Sequence, residues 1–123
     1  MFIATVSAVQ ELQDVETFLV ALAESPDGEG ACLEIQRAFE FDDQDEQLGM
    51  DTYCLCTETG ATYYGGVLSW RVEAGLLSIS LDESAAAELG IDQNFSIALR
   101  LTDSEIDALV EGIERALGFP KSE

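Results

Sequence analysis

The chain has 123 residues, of which 25 are acidic and five are basic, so its formal net charge at pH 7 is −20. Phosphate backbones and anionic membranes attract clustered lysine and arginine, so this composition excludes nucleic acid and membrane surfaces as electrostatic partners. The chain has no histidine, which removes the usual general base and zinc ligand, and we expect neither an enzyme nor a cofactor. Its length predicts a single domain over residues 1–123.

The N-terminal third is predicted to consist of strands and turns. Phe2–Val9 is apolar and β-branched, which indicates a first strand. Residues 10–24 leave helix and strand open, because both a helical and an alternating pattern fit Thr17–Glu24. The turn residues of Pro26–Gly30, followed at once by the apolar run Ala31–Phe39, favour a hairpin.

The middle of the chain is acidic and then aromatic. Phe39–Asp51 contains no basic residue and predicts an exposed acidic loop with room for a helical turn. Tyr53–Glu58 alternates aromatic and small residues and predicts a strand. Tyr63–Val72 predicts another strand, in which Gly65 and Gly66 mark a bulge or a close approach of the backbone.

The C-terminal part has the clearest periodicity. Leu77–Leu81 and Phe95–Leu101 alternate apolar and polar residues, as half-buried strands do. Between them, Asp82–Leu89 is rich in alanine and precedes Gly90, which predicts a short helix.

The last predicted element is an amphipathic helix. Thr102 and Glu105 have the spacing of a capping box, and Gly118 ends the apolar repeat. The flank opposite its apolar face carries an acidic stripe of Asp103, Asp107, Glu111 and Glu114. The elements together predict an α+β fold. It has a mostly antiparallel sheet of six or seven strands, the C-terminal helix packed on one face, and one short helix before the last strand.

The acidic segment and the tyrosines near it form the candidate partner-binding surface. Its residues are Glu40, Asp42, Asp43, Asp45, Glu46, Asp51, Tyr53, Tyr63 and Tyr64. A calcium loop needs glycine at its sixth position and glutamate at its twelfth, and the segment has neither in register. The alternatives for these residues are a solvated loop and ordinary sheet tyrosines.

Three cysteines, Cys32, Cys54 and Cys56, make an odd number and indicate reduced thiols in the cytoplasm. Cys54 and Cys56 share one face of a strand, because residues two apart on a strand point the same way. With no histidine and one further cysteine, they are too few for a usual zinc site. Buried structural thiols are the better interpretation.

The order of several short segments resembles a known family. The segments are Glu34–Arg37, Asp42–Asp45, Leu48–Tyr53, Tyr64–Val67, Leu77–Leu81 and Ala85–Gly90. Over about residues 2–101 the chain resembles the immunity protein 10 family of bacterial polymorphic toxin systems. The resemblance implies a cytoplasmic α+β protein that neutralises a toxin made by the same cell or its kin. It supplies no catalytic residue and no toxin-contact position.

The expected partner is therefore a cognate protein toxin, and a basic nuclease domain is the kind of toxin that suits an acidic surface. A homodimer is also compatible with the sequence. The main alternative is a small acidic type III secretion chaperone that binds an effector segment through apolar patches. A small enzyme is a third possibility, which a ligand-sized pocket holding a carboxylate of raised pKa would support.

Overall fold

The structure is a computed structural model that describes residues 2–27, 29–40, 43–47 and 52–121. Within these residues the chain forms nine β-strands, three α-helices and a 3-10 turn. The strands are β1 (Ile3–Ala4), β2 (Val6–Leu12), β3 (Thr17–Ala23), β4 (Cys32–Ala38), β5 (Cys54–Thr57), β6 (Thr62–Tyr64), β7 (Val67–Glu73), β8 (Leu76–Leu81) and β9 (Asn94–Leu99). The helices are α1 (Asp43–Gln47), α2 (Glu83–Leu89) and α3 (Asp103–Leu117).

The strands form two sheets. The five-stranded sheet has the order β2-β3-β4-β5-β6, and all its neighbours are antiparallel. The four-stranded sheet has the order β1-β9-β8-β7, in which β1 runs parallel to β9 and the other pairs are antiparallel. The predicted α+β class, the long C-terminal helix and the short helix before the last strand are confirmed.

Nine strands replace the predicted six or seven because two predicted strands are divided between the sheets. At Thr5 the chain leaves β1, and the Thr5 amide donates to the Ala23 carbonyl in the five-stranded sheet. The second division lies at Gly65 and Gly66, both of which have positive φ. A crossover of this kind looks like one continuous apolar run in the sequence.

The undecided stretch of residues 10–24 forms the end of β2, a 3-10 turn at Gln13–Val15 and strand β3, and it contains no α-helix. Strand β3 pairs with β4 along its whole length, from Thr17 opposite Ala38 to Ala23 opposite Cys32. This pairing confirms the predicted hairpin. The alternating side chains of Phe18, Val20 and Leu22 are buried, and burial of one strand face decides the register.

Helix α3 begins at the predicted capping box and packs across β2, β3 and β4. A Cβ atom at Gly112 would lie 2.9 Å from Val9 Cγ1, so the helix sits close to the sheet. Near the C-terminus of α3 the Arg37 guanidinium donates to the Ala116 carbonyl at 3.1 Å. Its positive charge stabilises this end of the helix, where the helix dipole is negative. One face of the five-stranded sheet is therefore covered by α3.

The buried apolar residues form one cluster to which both sheets, α2 and α3 contribute. Its largest fully buried side chains are Trp70, Leu55, Leu77, Leu81, Ile97, Leu109, Ile113 and Val20. This cluster fixes which faces of the sheets are closed and which remain available to a partner.

Candidate interaction surfaces

The acidic segment connects β4 to β5 at one end of the five-stranded sheet. Glu40 follows β4 and is exposed, and Asp43 is exposed at the start of α1. Asp45 and Glu46 belong to the same short helix. The predicted contact residues Asp42 and Asp51 lie outside the described residues. The connection therefore leaves and rejoins the sheet at the end where Gln36 pairs with Cys54.

The three predicted tyrosines have different environments. Tyr53 is 5% exposed, and its hydroxyl accepts a hydrogen bond from the Val67 amide at 2.8 Å. Burial raises the pKa of this hydroxyl. Tyr63 packs against the core opposite Leu55, whereas Tyr64 is 42% exposed on the other side of the sheet. Tyr53 and Tyr63 therefore hold strands in place, and Tyr64 is the one of the three that is open to solvent.

The outer face is defined here as the side of the five-stranded sheet opposite α3. Its residues are Val6, Ala8, Gln10, Leu12, Thr17, Leu19, Ala21, Ala23, Cys32, Glu34, Gln36, Ala38, Cys54, Cys56, Thr62 and Tyr64. Every one of them is half-buried or exposed. Glu34 is the one charged residue of this set.

One row crosses the outer face from edge to edge. The pairing places Gln10 beside Leu19, Leu19 beside Gln36, Gln36 beside Cys54, and Cys54 beside Tyr64. The two glutamines and Leu19 are not among the contact residues predicted from the sequence. One feature of the sequence points to them: Thr17–Ala23 is apolar at nearly every position. Such a run is typical of a strand that is covered by apolar groups on both faces.

All three thiols also lie on the outer face and are free. The Sγ atoms of Cys54 and Cys56 are 3.9 Å apart. Burial, together with the neighbouring Cys54 thiol, raises the pKa of Cys56 to about 12, and burial also raises the pKa of Cys32 and Cys54. These thiols stay protonated near neutral pH and are weak nucleophiles. Across the described ranges, no group of three or more His, Cys, Asp or Glu residues is arranged to hold a metal.

We expect the free energy of unfolding to fall as the pH rises above about 9, and Cys56→Ala to flatten this fall. The unfolded chain ionises the Cys56 thiol near its ordinary pKa of 9.0, whereas the folded chain keeps the proton up to about pH 12. The folded state then binds more protons, so alkali favours unfolding. Urea unfolding at several pH values from about 7.5 to about 10 measures the free energy of unfolding of both proteins. An equal pH dependence in both proteins would contradict it.

A polar groove of about 840 Å³ lies on the outer side of the four-stranded sheet. Ser78 and Ser96 hydroxyls are 3.1 Å apart, and Ser80 donates to the Asn94 side chain at 2.7 Å. These groups hydrogen-bond to one another and not to a base. These pairs supply no activated nucleophile.

The acidic stripe of α3 lies on the exposed side of the helix. Its four residues, Asp103, Asp107, Glu111 and Glu114, are all exposed. Nearby, Arg115 forms an ion pair with Glu11 at 2.7 Å and lies 4.1 Å from the centre of the Phe18 ring. The stripe is thus a second acidic surface, well separated along the chain from the β4–β5 connection.

Comparison with known proteins gives one result. The model of the family described as immunity protein 10 matches residues 3–107 of the chain. Searches of the curated proteins and of the solved structures found no match. In the described part of the chain, no helix is both long and apolar enough to cross a membrane.

Proposed function

Because this chain belongs to the immunity protein 10 family, we propose that it neutralises its toxin by binding it directly through an acidic surface on the β4–β5 connection. The family gives the chain an immunity role against a toxin, so its partner is a cognate toxin. The observation that carries the acidic surface is the net charge of −20, with carboxylates concentrated in a connection that contains no basic residue.

The contact residues of this proposal are the acidic residues of the connection and one tyrosine. Their list is Glu40, Asp42, Asp43, Asp45, Glu46, Asp51 and Tyr64. Tyr53 and Tyr63 support the surface by fixing β5 and β6 against the core. The chain acts by binding, without catalysis of its own.

A basic nuclease domain is the toxin class that this surface fits best. A cleft that binds a phosphate backbone carries lysine and arginine, and carboxylates can occupy it in place of phosphate. Opposite charges also speed association, because the electrostatic field steers the two proteins together. Two copies of a −20 chain repel each other, so we expect a one-to-one complex with the toxin in preference to a homodimer.

We expect the two proteins to meet in the cytoplasm. The three free thiols fit a reducing compartment, where cysteines stay unpaired. In this compartment the chain would meet a toxin made by the same cell, or one that has entered from a neighbouring cell.

The test is the triple variant Asp43→Lys, Asp45→Lys, Glu46→Lys. The toxin is first identified by capture from the host lysate with this chain as bait, and its purified toxic domain is then used for kinetics. We expect the association rate constant at low salt to fall about 10-fold or more, with a smaller change in dissociation. Stopped-flow association at low and physiological salt measures it.

The matched control is Asp107→Lys, Glu111→Lys, Glu114→Lys on α3, which changes the net charge by the same amount on another surface. We expect this control to slow association much less than the loop variant. Equal slowing by both variants would show that net charge acts without a local contact. An unchanged rate for the loop variant at low salt would overturn the proposed acidic surface.

A further inference from the structure

We propose that the outer face of the five-stranded sheet is the desolvated centre of the toxin interface, with Leu19 and Tyr64 as its anchors. The inference rests on the proposed function and assigns the surface on which affinity depends. Glu40 and Asp43, which are exposed in the β4–β5 connection, then belong to the charged rim around this face.

The distribution of charge sets the outer face apart from the rest of the chain. Charged residues make up 24% of the chain, yet Glu34 is the one charge among the outer-face residues. Removing a charge from water costs far more than removing an amide group, whereas removing an apolar group is favourable. The centres of protein interfaces are accordingly depleted of charged residues, while their rims stay polar. A nearly uncharged face on a chain this acidic has the composition of an interface centre.

The row that crosses the outer face from Gln10 to Tyr64 contains the two anchors. Leu19 and Tyr64 are its two large hydrophobic side chains, and the uncharged amide of Gln36 lies between them along the row. Leu19 is half-buried and Tyr64 is 42% exposed, so both retain surface that a partner can cover. Tyrosine is a frequent anchor in interfaces because it combines a large apolar ring with a hydroxyl.

The area of the outer face shows how much of an interface it can form by itself. Strands β2, β3 and β4 have seven residues each, and β5 and β6 have four and three. At about 3.3 Å per residue and 4.8 Å between strands, the face covers roughly 440 Å². A stable interface buries about 800 Å² on each partner, so the sheet face alone is about half of one. The interface therefore extends beyond the sheet face, where exposed Glu40 lies just past the end of β4.

Charge decides between the two candidate occupants. A second copy would bring its own −20 charge to the same rim, where repulsion opposes docking. A toxin with apolar side chains surrounded by lysine and arginine matches both the uncharged centre and the acidic surroundings. The structure therefore favours the toxin as the occupant.

The test substitutes Leu19 with charges of both signs, as Leu19→Lys and Leu19→Glu. If the toxin desolvates this position, both variants should raise the Kd for the purified toxic domain by about 30-fold or more, mainly through faster dissociation. A purely electrostatic contact would respond with opposite signs to lysine and glutamate. Surface plasmon resonance resolves the two rate constants.

The matched controls are Leu68→Lys and Leu68→Glu. Leu68 is also a strand leucine, but it lies on β7 of the four-stranded sheet and is 65% exposed. We expect both Leu68 variants to bind like the wild type. Gln36→Lys, on the same row as Leu19, is the second outer-face variant if a Leu19 variant proves less stable in thermal unfolding. It should also weaken binding.

The thiols give a second readout on the unmodified protein. Cys32, Cys54 and Cys56 lie on the outer face, so a saturating amount of toxin should slow their alkylation by N-ethylmaleimide about 10-fold or more, measured by intact mass. Sedimentation velocity of the chain alone tests whether a second copy binds to the outer face.

The outcomes separate this inference from the proposed function. Wild-type toxin affinity in the Leu19 and Gln36 variants, together with unprotected thiols, would overturn the inference and leave the immunity role intact. A dimer of the chain that Leu19→Lys disrupts would assign the face to a second copy and overturn it as well. Failure of the wild type to bind any toxin would overturn both.

Discussion

Replacing Gly66 with alanine is expected to lower the free energy of unfolding by about 3 kcal/mol or more. Gly66 has a φ of +95°, a conformation in which a side chain adds about 1–2 kcal/mol of strain. A Cβ atom there would also lie 2.6 Å from the Cβ of Ala85 on α2 and 3.1 Å from Cε2 of Tyr63. Both neighbours lie on packed elements, so the crossover between the sheets would have to shift.

Gly60→Ala is the matched control for this prediction. Gly60 has a similar φ of +84°, but nothing lies within 4 Å of the position of an added Cβ. It should cost about 1–2 kcal/mol, the backbone strain alone. Urea unfolding followed by far-ultraviolet circular dichroism gives both values. Equal costs for the two variants would contradict the close packing of the crossover against α2.

The second large effect is expected for Trp70→Ala, which should cost about 4 kcal/mol. Trp70 is 1% exposed on β7, and its indole N–H donates to the Phe119 carbonyl at 3.2 Å. The substitution removes a large buried side chain and one of the links between the four-stranded sheet and the segment after α3. Circular dichroism is the appropriate probe, because the chain contains a single tryptophan and the variant loses its fluorophore.

Two further substitutions separate the contributions at Trp70. Trp70→Phe keeps most of the ring volume but loses the hydrogen bond, and we expect a cost of about 1–3 kcal/mol. Leu68→Ala, on the same strand but exposed, should stay within about 0.5 kcal/mol of the wild type. A Trp70→Ala variant as stable as Leu68→Ala would mean that the two sheets do not share one core.

Elements specified by local signals could be predicted from the sequence. Helix α3 spans Asp103–Leu117 between the capping box at Thr102 and the C-terminal Gly118, because capping and apolar period involve residues within a few positions of each other. The β3–β4 hairpin was favoured for the same reason, since its turn and its alternating strands are contiguous. The resemblance to the immunity protein 10 family also depends on short contiguous segments, and the match of the family model to residues 3–107 confirms it.

The sequence predicts only part of the candidate surface. Composition located the acidic connection, because charge can be counted without knowing the fold. The sequence could not separate Tyr64 from Tyr53 and Tyr63, since all three lie within a short stretch and have the same side chain. Pairing between β5 and β6 turns Tyr63 toward the core and Tyr64 toward solvent, and the hydrogen bond from Val67 fixes Tyr53 inside.

Local signals in the sequence specify the α+β class, the long C-terminal helix, the short helix before the last strand and the excess of negative charge. The tertiary structure decided the two crossovers, at Thr5 and at Gly65–Gly66, and the side of the five-stranded sheet that stays open. Alternation along β3 separates Phe18 and Val20 from Leu19 but does not say which set is buried. That choice depends on α3, some 85 residues further along the chain, which covers one face and leaves Leu19 on the other.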